Sequence, residues 1–519
     1  MHNTPTFDPS TGGRTGIPAP PWTPLERVRH WALATPRAPA LADSSRELNY
    51  ADFALAIDEI AARLRTCGVG AGDRVLIVAE NNVAATATLF AAQALNAWPA
   101  ILNARLPAAE VTELRRLATP RVVVFAVADS AATEAHAADA AAPIENDLRA
   151  GPLAFGATAC DAAPELDQKG VGLLIFTSGT TGQPKAVMLG HAGLASLGAI
   201  LARSRRVSAT DCYNGVAPLA HIMGIANLMS VIAVGASLRL MPRLEVPQLA
   251  AAIADGSISH LSFVPTVYAR LLDHIDASGI DVSRHRLRYI SSGGAPLDAT
   301  LHRRVERRFG LPLVNGYGMT ECAPGTRTAA DRYSEPGSIG RPEEGVEARI
   351  VDIDGTDAAQ GDIGELWLRT PTAMLGYYRD PRSTAAALRP GGWIATGDLA
   401  RRLDNGELAI VGRQKEMIVR SGFNVYPAEV EAALNSLPEV AASGVVGRRL
   451  PDGDEQVIAF VELRPGASID GTSIDAVLRE LVAPYKRPNR IVLLERLPQG
   501  ATGKIWKAKL AAMAAELRS

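Results

Sequence analysis

Cysteine is scarce in this chain: four among 519 residues, at positions 67, 160, 212 and 322, never as a CxxC pair. That excludes a disulfide framework and offers no zinc-site spacing. No segment supplies 18 uninterrupted apolar residues, so no membrane-spanning helix is expected and no obligatory membrane partner. The first 20 or so residues carry proline and glycine without an apolar core, which reads as a disordered leader rather than a signal peptide. Basic residues are not in excess, 53 Lys and Arg against 55 Asp and Glu for a net charge of −2, so nucleic acid is not an expected partner. No repeat of solenoid length is present. What remains is a cytoplasmic globular protein, 47% hydrophobic and long enough for several domains around a large core.

What is present is an alternation of helical and strand patterns. Between Leu25 and about Leu117 a helix is expected around Ala51 to Cys67, a strand at VLIVAE and an Ala-rich helix from Val83 to Leu95. Strands are expected again at Ser237 to Met241, His260 to Val264 and Arg288 to Ser291, each followed by a helix. Such alternation implies βαβ units and mainly parallel sheets. The stretch from Ala126 to Gln168 is weakly periodic and reads as irregular helix and surface connection. Beyond Glu343, the segments ARIVDI, GELWLR and GELAIVGR read as a β-rich subdomain, and a mixed unit of roughly 100 residues follows Gly412. The expected fold class is therefore α/β: a large N-terminal part of βαβ sheets with a β-rich subdomain, then a small mobile α+β C-terminal domain.

The apolar run VGLLIF empties into TSGTTGQPKAV, residues 177 to 187. Gly179 and Gly182 let a backbone approach closely, Thr177, Ser178, Thr180 and Thr181 add hydroxyl donors, and Lys185 adds positive charge. This suits a polyphosphate. It is not the GxxxxGK loop followed by Ser or Thr, because Gln183 and Pro184 separate the last glycine from the lysine. A Gly/Ser/Thr turn between a strand and a helix is also an ordinary structural device, so the decision rests on what accompanies it.

Downstream stand NGYGMTE (315–321), TGD (396–398), GRQKEMIVRSGFNVYPAEVE (412–431) and LPQGATGK (497–504). In this order, with the opening loop, they resemble the adenylate-forming superfamily of acyl-CoA synthetases, aryl-CoA ligases, luciferases and peptide-synthetase adenylation domains, over nearly the whole chain. The resemblance implies ATP, Mg²⁺ and CoA as cofactors and a carboxylate that attacks the α-phosphorus of ATP, expels pyrophosphate and leaves an acyl-adenylate. It places the β- and γ-phosphates on the opening loop and the metal on Glu321 beside Thr320. It stacks Tyr317 on adenine, with the Asn315 amide accepting from the adenine amino group, and sets Asp398 and Arg413 on the ribose. Lys504 would act on the oxygens joining substrate and α-phosphate. The implied domains are 21–412 for AMP binding, a hinge at 413–415 with Lys415 at its pivot, and 416–519 as the C-terminal domain, whose loop at Gly422, Phe423 and Asn424 would admit the thiol. Gly422 would lack a side chain to leave a pantetheine arm its passage. Lys486 and Arg487 are candidates for CoA phosphates or simply a solvated basic pair.

Two departures from the family pattern stand out: Ala186 replaces the glycine after the lysine, and Ala220 replaces a bulkier, commonly aromatic residue, which reshapes the acyl pocket. By resemblance that pocket draws on Ala220 to Met223 including His221, on Phe263 and Val264, on Gly293, Gly294 and Ala295, and on Gly316 and Met319, with the glycines and Ala295 also beside the nucleotide. No Asp or Glu lies between Tyr213 and Ala236 to pair with an ammonium, and these segments hold no Arg or Lys for a second carboxylate. An apolar monocarboxylic acid, aryl or short- to medium-chain acyl, is the expected substrate, with His221 gating the pocket or orienting the carboxylate. The chain ends about 15 residues after Lys504 without a fused carrier domain, so free CoA is the expected acceptor. The rivals are a stand-alone enzyme that loads a carrier protein, a non-catalytic nucleotide-binding paralogue and a luciferase-like oxygenase. A homodimer is left open.

Overall fold

The computed structural model describes residues 20–157, 163–168, 170–178, 184–450, 453–464, 466–498 and 505–517. Two large sheets share one layer of helices. In the first, of eight strands, Arg74–Ala79 lies between Trp98–Asn103 and Val122–Ala126, all parallel, and Val171–Ser178 adds beside Trp98–Asn103. In the second, of nine, Cys212–Gly215, Ser237–Leu240, His260–Phe263, Tyr289–Gly293 and Leu313–Tyr317 run parallel. The helices Tyr50–Thr66, Val83–Ala94, His191–Ser204 and Ile222–Val234 pack with residues of both sheets in one core cluster.

Local sequence explains this layer. Asn49 caps Tyr50–Thr66 by accepting from the Asp52 N–H at 2.8 Å, Arg63 and Arg65 sit in its last turn, and Phe53, Ile57, Ile60 and Leu64 recur along one buried face. Val83–Ala94 is buried all round, and its alanines let neighbouring elements approach from every side. A second set of helices, Val246–Ala254, Pro265–Ser278 and Ala299–Phe309, covers the outer face of the nine-stranded sheet.

Two expectations are corrected. Leu153–Ala157, placed in an irregular surface stretch, is a strand antiparallel to Val122–Ala126, with Leu153 and Ala154 fully buried. The opening loop does not lead from strand to helix. Thr177 and Ser178 belong to one strand and Lys185 to Val187 to the next, antiparallel, with Thr177 opposite Lys185 and Ser178 opposite Pro184, so Lys185 lies on a strand and not on a helix. This antiparallel pair, like that of Val122–Ala126 with Leu153–Ala157, makes the eight-stranded sheet mixed rather than parallel.

The β-rich subdomain is a five-stranded antiparallel sheet containing Glu347–Val351, Ile363–Arg369, Trp393–Arg402 and Leu408–Arg413. After it comes a hairpin, Ile418–Arg420 with Phe423–Val425, and a sheet of Val440–Arg449, Glu455–Leu463 and Arg490–Leu494 flanked by the helices Pro427–Asn435, Gly471–Leu481 and Lys507–Glu516. Lys507 Nζ ties this unit together, 2.8 Å from Glu416 and 2.9 Å from Glu431.

His260 sits at the centre of the nine-stranded sheet, fully buried between the rings of Tyr213 and Tyr289. Ser259 Oγ lies 2.8 Å from Nδ1 and the Arg205 carbonyl oxygen 3.1 Å from Nε2. Burial pushes its pKa down from 6.5 to about 4, overriding the nearby Asp211 carboxylate. Below its ordinary value the unfolded chain takes up a proton that the folded chain refuses until about pH 4, so stability falls as pH drops through that window, by up to a few kcal/mol. A His260→Phe variant is expected to show a shallower fall of unfolding temperature between pH 7 and 5 than the wild type. Equal slopes would place the acid lability elsewhere.

Candidate active site

The site begins where the parallel strands of the nine-stranded sheet end, the edge at which open α/β sheets collect ligands. Gly293 lies opposite Gly316 in register. A Cβ at Gly293 would come within 3.1 Å of the Gly316 carbonyl oxygen and 3.8 Å of the Met223 methyl, so the floor stays flat here and Met223 faces it. Gly294 follows at φ +75°, with Ala295 partly exposed beside it. Asn315 is buried and its orientation is fixed: Nδ2 donates to the Ser338 carbonyl at 2.7 Å, and its backbone N–H donates to Thr328 Oγ1. Oδ1 is thus the acceptor end, as recognition of an amino group requires.

Tyr317, two residues on, reaches into the five-stranded sheet. Its hydroxyl donates to Asp398 Oδ2 at 2.5 Å, while Arg413 Nε donates to Oδ1 at 3.0 Å across directly paired strands. Burial, with the Asp398 charge, holds the Tyr317 hydroxyl well above its usual pKa, so it stays protonated and donating. Each carboxylate oxygen has accepted one bond and keeps a second lone pair, so two further hydroxyls can still be received. The Tyr317–Asp398 bond links residues 81 apart, and residue spacing offers no signal for it.

Glu321 lies four residues past Tyr317, in a turn that includes Thr320. It is 7% exposed, and Oε1 accepts from the Tyr377 hydroxyl at 2.7 Å. Burial pushes its pKa up, against the opposing pull of the Tyr377 hydrogen bond, its own backbone N–H, and the Arg413 and Lys185 charges. Lys185 Nζ stands 4.8 Å over the Tyr377 ring. Tyr377 is the functional candidate that sequence reasoning missed. Its strand, Gly376–Tyr377, pairs with the edge strand Pro184–Gly190, and only that pairing brings it between Lys185 and Glu321. Among the described residues no group of three or more His, Cys, Asp or Glu could hold a metal ion. Glu321 as a lone carboxylate still fits Mg²⁺, which is commonly held by one or two carboxylates together with substrate phosphates and water.

His221 is the N-cap residue of Ile222–Val234, and its N–H donates to the Pro218 carbonyl at 3.0 Å. The turn before it is clamped by Asn81, whose Nδ2 donates to the carbonyls of Gly215 and Ala217 and whose Oδ1 accepts from the Leu219 N–H. Gly224 packs so tightly under this turn that a Cβ would lie 2.2 Å from the Pro218 carbonyl oxygen. Beside Ala220 a small cavity is lined by Glu80 and Arg105, a pair distant in sequence from the segment Tyr213 to Ala236. They neutralise one another at 2.8 Å, so neither is a bare partner for a charged acyl group.

Other expected residues fare differently. Phe263 is withdrawn into the core against Tyr268, leaving Val264 as the partly exposed member of that pair. Lys486 is bound to Glu429 at 2.7 Å, and Arg487 donates to the carbonyls of Val482 and Arg479, so both act within the C-terminal unit. Gly422 has a reason different from the one expected: with Ser421 at φ +50° and Gly422 at φ +82° it forms a tight hairpin turn, and nothing stands within 4 Å of a Cβ built there. The hairpin's contacts lie in its own unit, Phe423 stacked on Tyr485 at 4.9 Å and Ser421 on Asp454. Gly179, Thr180, Thr181, Gly182 and Lys504 lie outside the described residues, as does the side chain of Ser178.

Residues 28–378 match the family described as AMP-binding enzyme, and residues 429–504 match the AMP-binding enzyme C-terminal domain. The chain belongs to the AMP-binding enzyme family. Its fold and motifs are those of the adenylate-forming acyl- and aryl-CoA ligase type. It is 33% identical to the indoleacetate–CoA ligase of Aromatoleum aromaticum, over 92% of this chain and 95% of that one. It is 32% identical to the 2-succinylbenzoate–CoA ligase of Geobacillus kaustophilus, over 93% and 96%. Among solved structures, ATP-bound MatB from Rhodopseudomonas palustris superposes with a TM-score of 0.82 at 28% identity, covering 95% of this chain and 99% of that one. No helix among the described residues of this AMP-binding enzyme is long and apolar enough to cross a membrane.

Asp398 offers the most direct check of the geometry. An Asp398→Ala variant is expected to lose most of the wild-type preference for ATP over 2′,3′-dideoxy-ATP, since each charge-assisted hydrogen bond is worth about 1.5–3 kcal/mol. Binding titrations with the two nucleotides measure it, and an unchanged preference would remove Asp398 from the ribose.

Proposed function

We propose that this AMP-forming acid–CoA ligase activates an apolar monocarboxylic acid, aryl or short- to medium-chain acyl. The observation that carries the adenylating part of this reading is the pair of tyrosine-braced carboxylates, Glu321 with Tyr377 and Asp398 with Tyr317, brought together where three sheets meet, with the Asn315 acceptor and the Met223–Gly293 floor. In the first step a substrate carboxylate oxygen attacks the α-phosphorus of ATP and pyrophosphate departs. In the second the CoA sulfur attacks the acyl carbon and AMP departs.

Asp398 and Arg413 hold the ribose, Asn315 and Tyr317 the adenine, and the motif from Thr177 to Gly182 with Lys185 the polyphosphate. Glu321 beside Thr320 would hold Mg²⁺, which would supply positive charge to offset the charge of the departing pyrophosphate. Lys504 donates to the oxygens between acid and α-phosphate, and rotation about 413–415 carries it away before CoA arrives past Gly422. The enzyme is read as cytoplasmic and takes free CoA.

For the acid, support comes from the self-neutralised Glu80–Arg105 pair, from the absence of any Asp or Glu between Tyr213 and Ala236, and from the small side chain of Ala220. The relatives named for indoleacetate and 2-succinylbenzoate both point to an aryl acid, the second to one with two carboxyl groups, so the aryl end of the range is favoured.

Lys504→Ala is expected to lower acid-dependent ATP–pyrophosphate exchange by about 10²–10³ while still converting supplied acyl-adenylate to thioester. Equal loss of both half-reactions would count against its role. Pyrophosphate release over a panel of aryl, alicyclic, fatty, dicarboxylic and amino acids is expected to peak on an uncharged aryl acid. A peak on an amino acid or dicarboxylate would overturn the pocket reading.

A further inference from the structure

Tyr377 stands between the two charges that any polyphosphate–metal complex in this site must meet. Its hydroxyl donates to Glu321 Oε1 at 2.7 Å, and Lys185 Nζ lies 4.8 Å over its ring. The side chain is 9% exposed and its backbone is fixed by contacts other than those of its hydroxyl and ring. Its N–H donates to Thr384 Oγ1, its strand pairs with the strand that carries Lys185, and three residues earlier the Met374 N–H donates to the Glu321 carbonyl. The Glu321 segment is therefore fastened to this short strand through both main chain and side chain. A hydrogen bond to one oxygen of a carboxylate fixes its plane and leaves the other oxygen to coordinate. A cation over an aromatic face is held without having its donors consumed.

We propose that Tyr377 is a positioning residue with two separable tasks: its hydroxyl aims Glu321 at the metal, and its ring holds Lys185 at the height of the β- and γ-phosphates. This rests on reading Glu321 as the metal carboxylate. The two tasks belong to different atoms, so different substitutions remove them.

In Tyr377→Phe the ring remains and the hydroxyl is lost. Binding of ATP in EDTA, and of AMP, is expected to stay within about twofold, while the Mg²⁺ concentration giving half-maximal ATP binding rises about five- to tenfold. In Tyr377→Leu the same Mg²⁺ shift is expected together with about three- to tenfold weaker ATP binding in EDTA, and unchanged AMP binding because AMP lacks the outer phosphates. Calorimetric titration of the intact protein reads all of these. Identical behaviour of the Phe and Leu variants, or a parallel loss of AMP binding, would overturn the inference. If the Leu variant does not fold, the Phe variant alone decides through its Mg²⁺ dependence. Glu321→Gln runs beside them. If it leaves the Mg²⁺ dependence unchanged, the metal reading of Glu321 is wrong. If it shifts that dependence and Tyr377→Phe does not, only the role of Tyr377 falls.

Discussion

Two carboxylates are buried on either side of one short turn, Asp398 against Tyr317 and Glu321 four residues further along the chain against Tyr377. An ionised carboxylate out of water is costly unless it is hydrogen-bonded or paired. Each is given a tyrosine hydroxyl, and each has a cation nearby, Arg413 directly on Asp398 and Lys185 across the ring from Glu321. Much of the remaining architecture can be read as the means of delivering these four partners to one place.

They arrive from four regions. Tyr317 ends a parallel strand of the nine-stranded sheet, and Asp398 and Arg413 face each other across antiparallel strands of the five-stranded sheet. Lys185 lies on the strand Pro184–Gly190 at the edge of the eight-stranded sheet, and Tyr377 comes from a two-residue strand laid on that edge. The proposed nucleotide site is thus a junction of three sheets. The shared helical layer, tightly packed through the Ala-rich helix Val83–Ala94, holds the two large sheets in fixed relation. The acyl side depends on the same junction, since Asn81 at the end of one sheet clamps the turn that precedes His221 beside the other.

Periodic elements were legible because their signals are local. Tyr50–Thr66 carries its cap, its charges and its apolar face within 18 residues, and the parallel strands appear as short apolar runs. Leu153–Ala157 was not legible. Its five residues hold three small ones, and it becomes a strand only because Val122–Ala126 offers an edge to pair with. The strand Pro184–Gly190 was hidden for a similar reason: PKAVMLG is a strand by virtue of its neighbours on both sides. Gly422 carries two demands that the sequence does not separate, because a turn requirement on φ and an open passage for a ligand ask for the same residue type.

From the sequence alone come the two-part α/β plan, the family, the polyphosphate character of the first motif, and Asn315, Tyr317, Glu321, Asp398 and Arg413 as candidates. These were available because each motif is contiguous and the motifs, in their order, resemble the adenylate-forming superfamily. Only the tertiary structure decided which groups touch. It set Tyr317 on Asp398 and Tyr377 on Glu321, joined Glu80 to Arg105 beside the acyl pocket, and withdrew Phe263, Lys486 and Arg487 to structural posts. Side-chain contacts across 25, 56 or 81 residues depend on how strands stack at a sheet edge. That is a property of packing and register, and no local pattern encodes it.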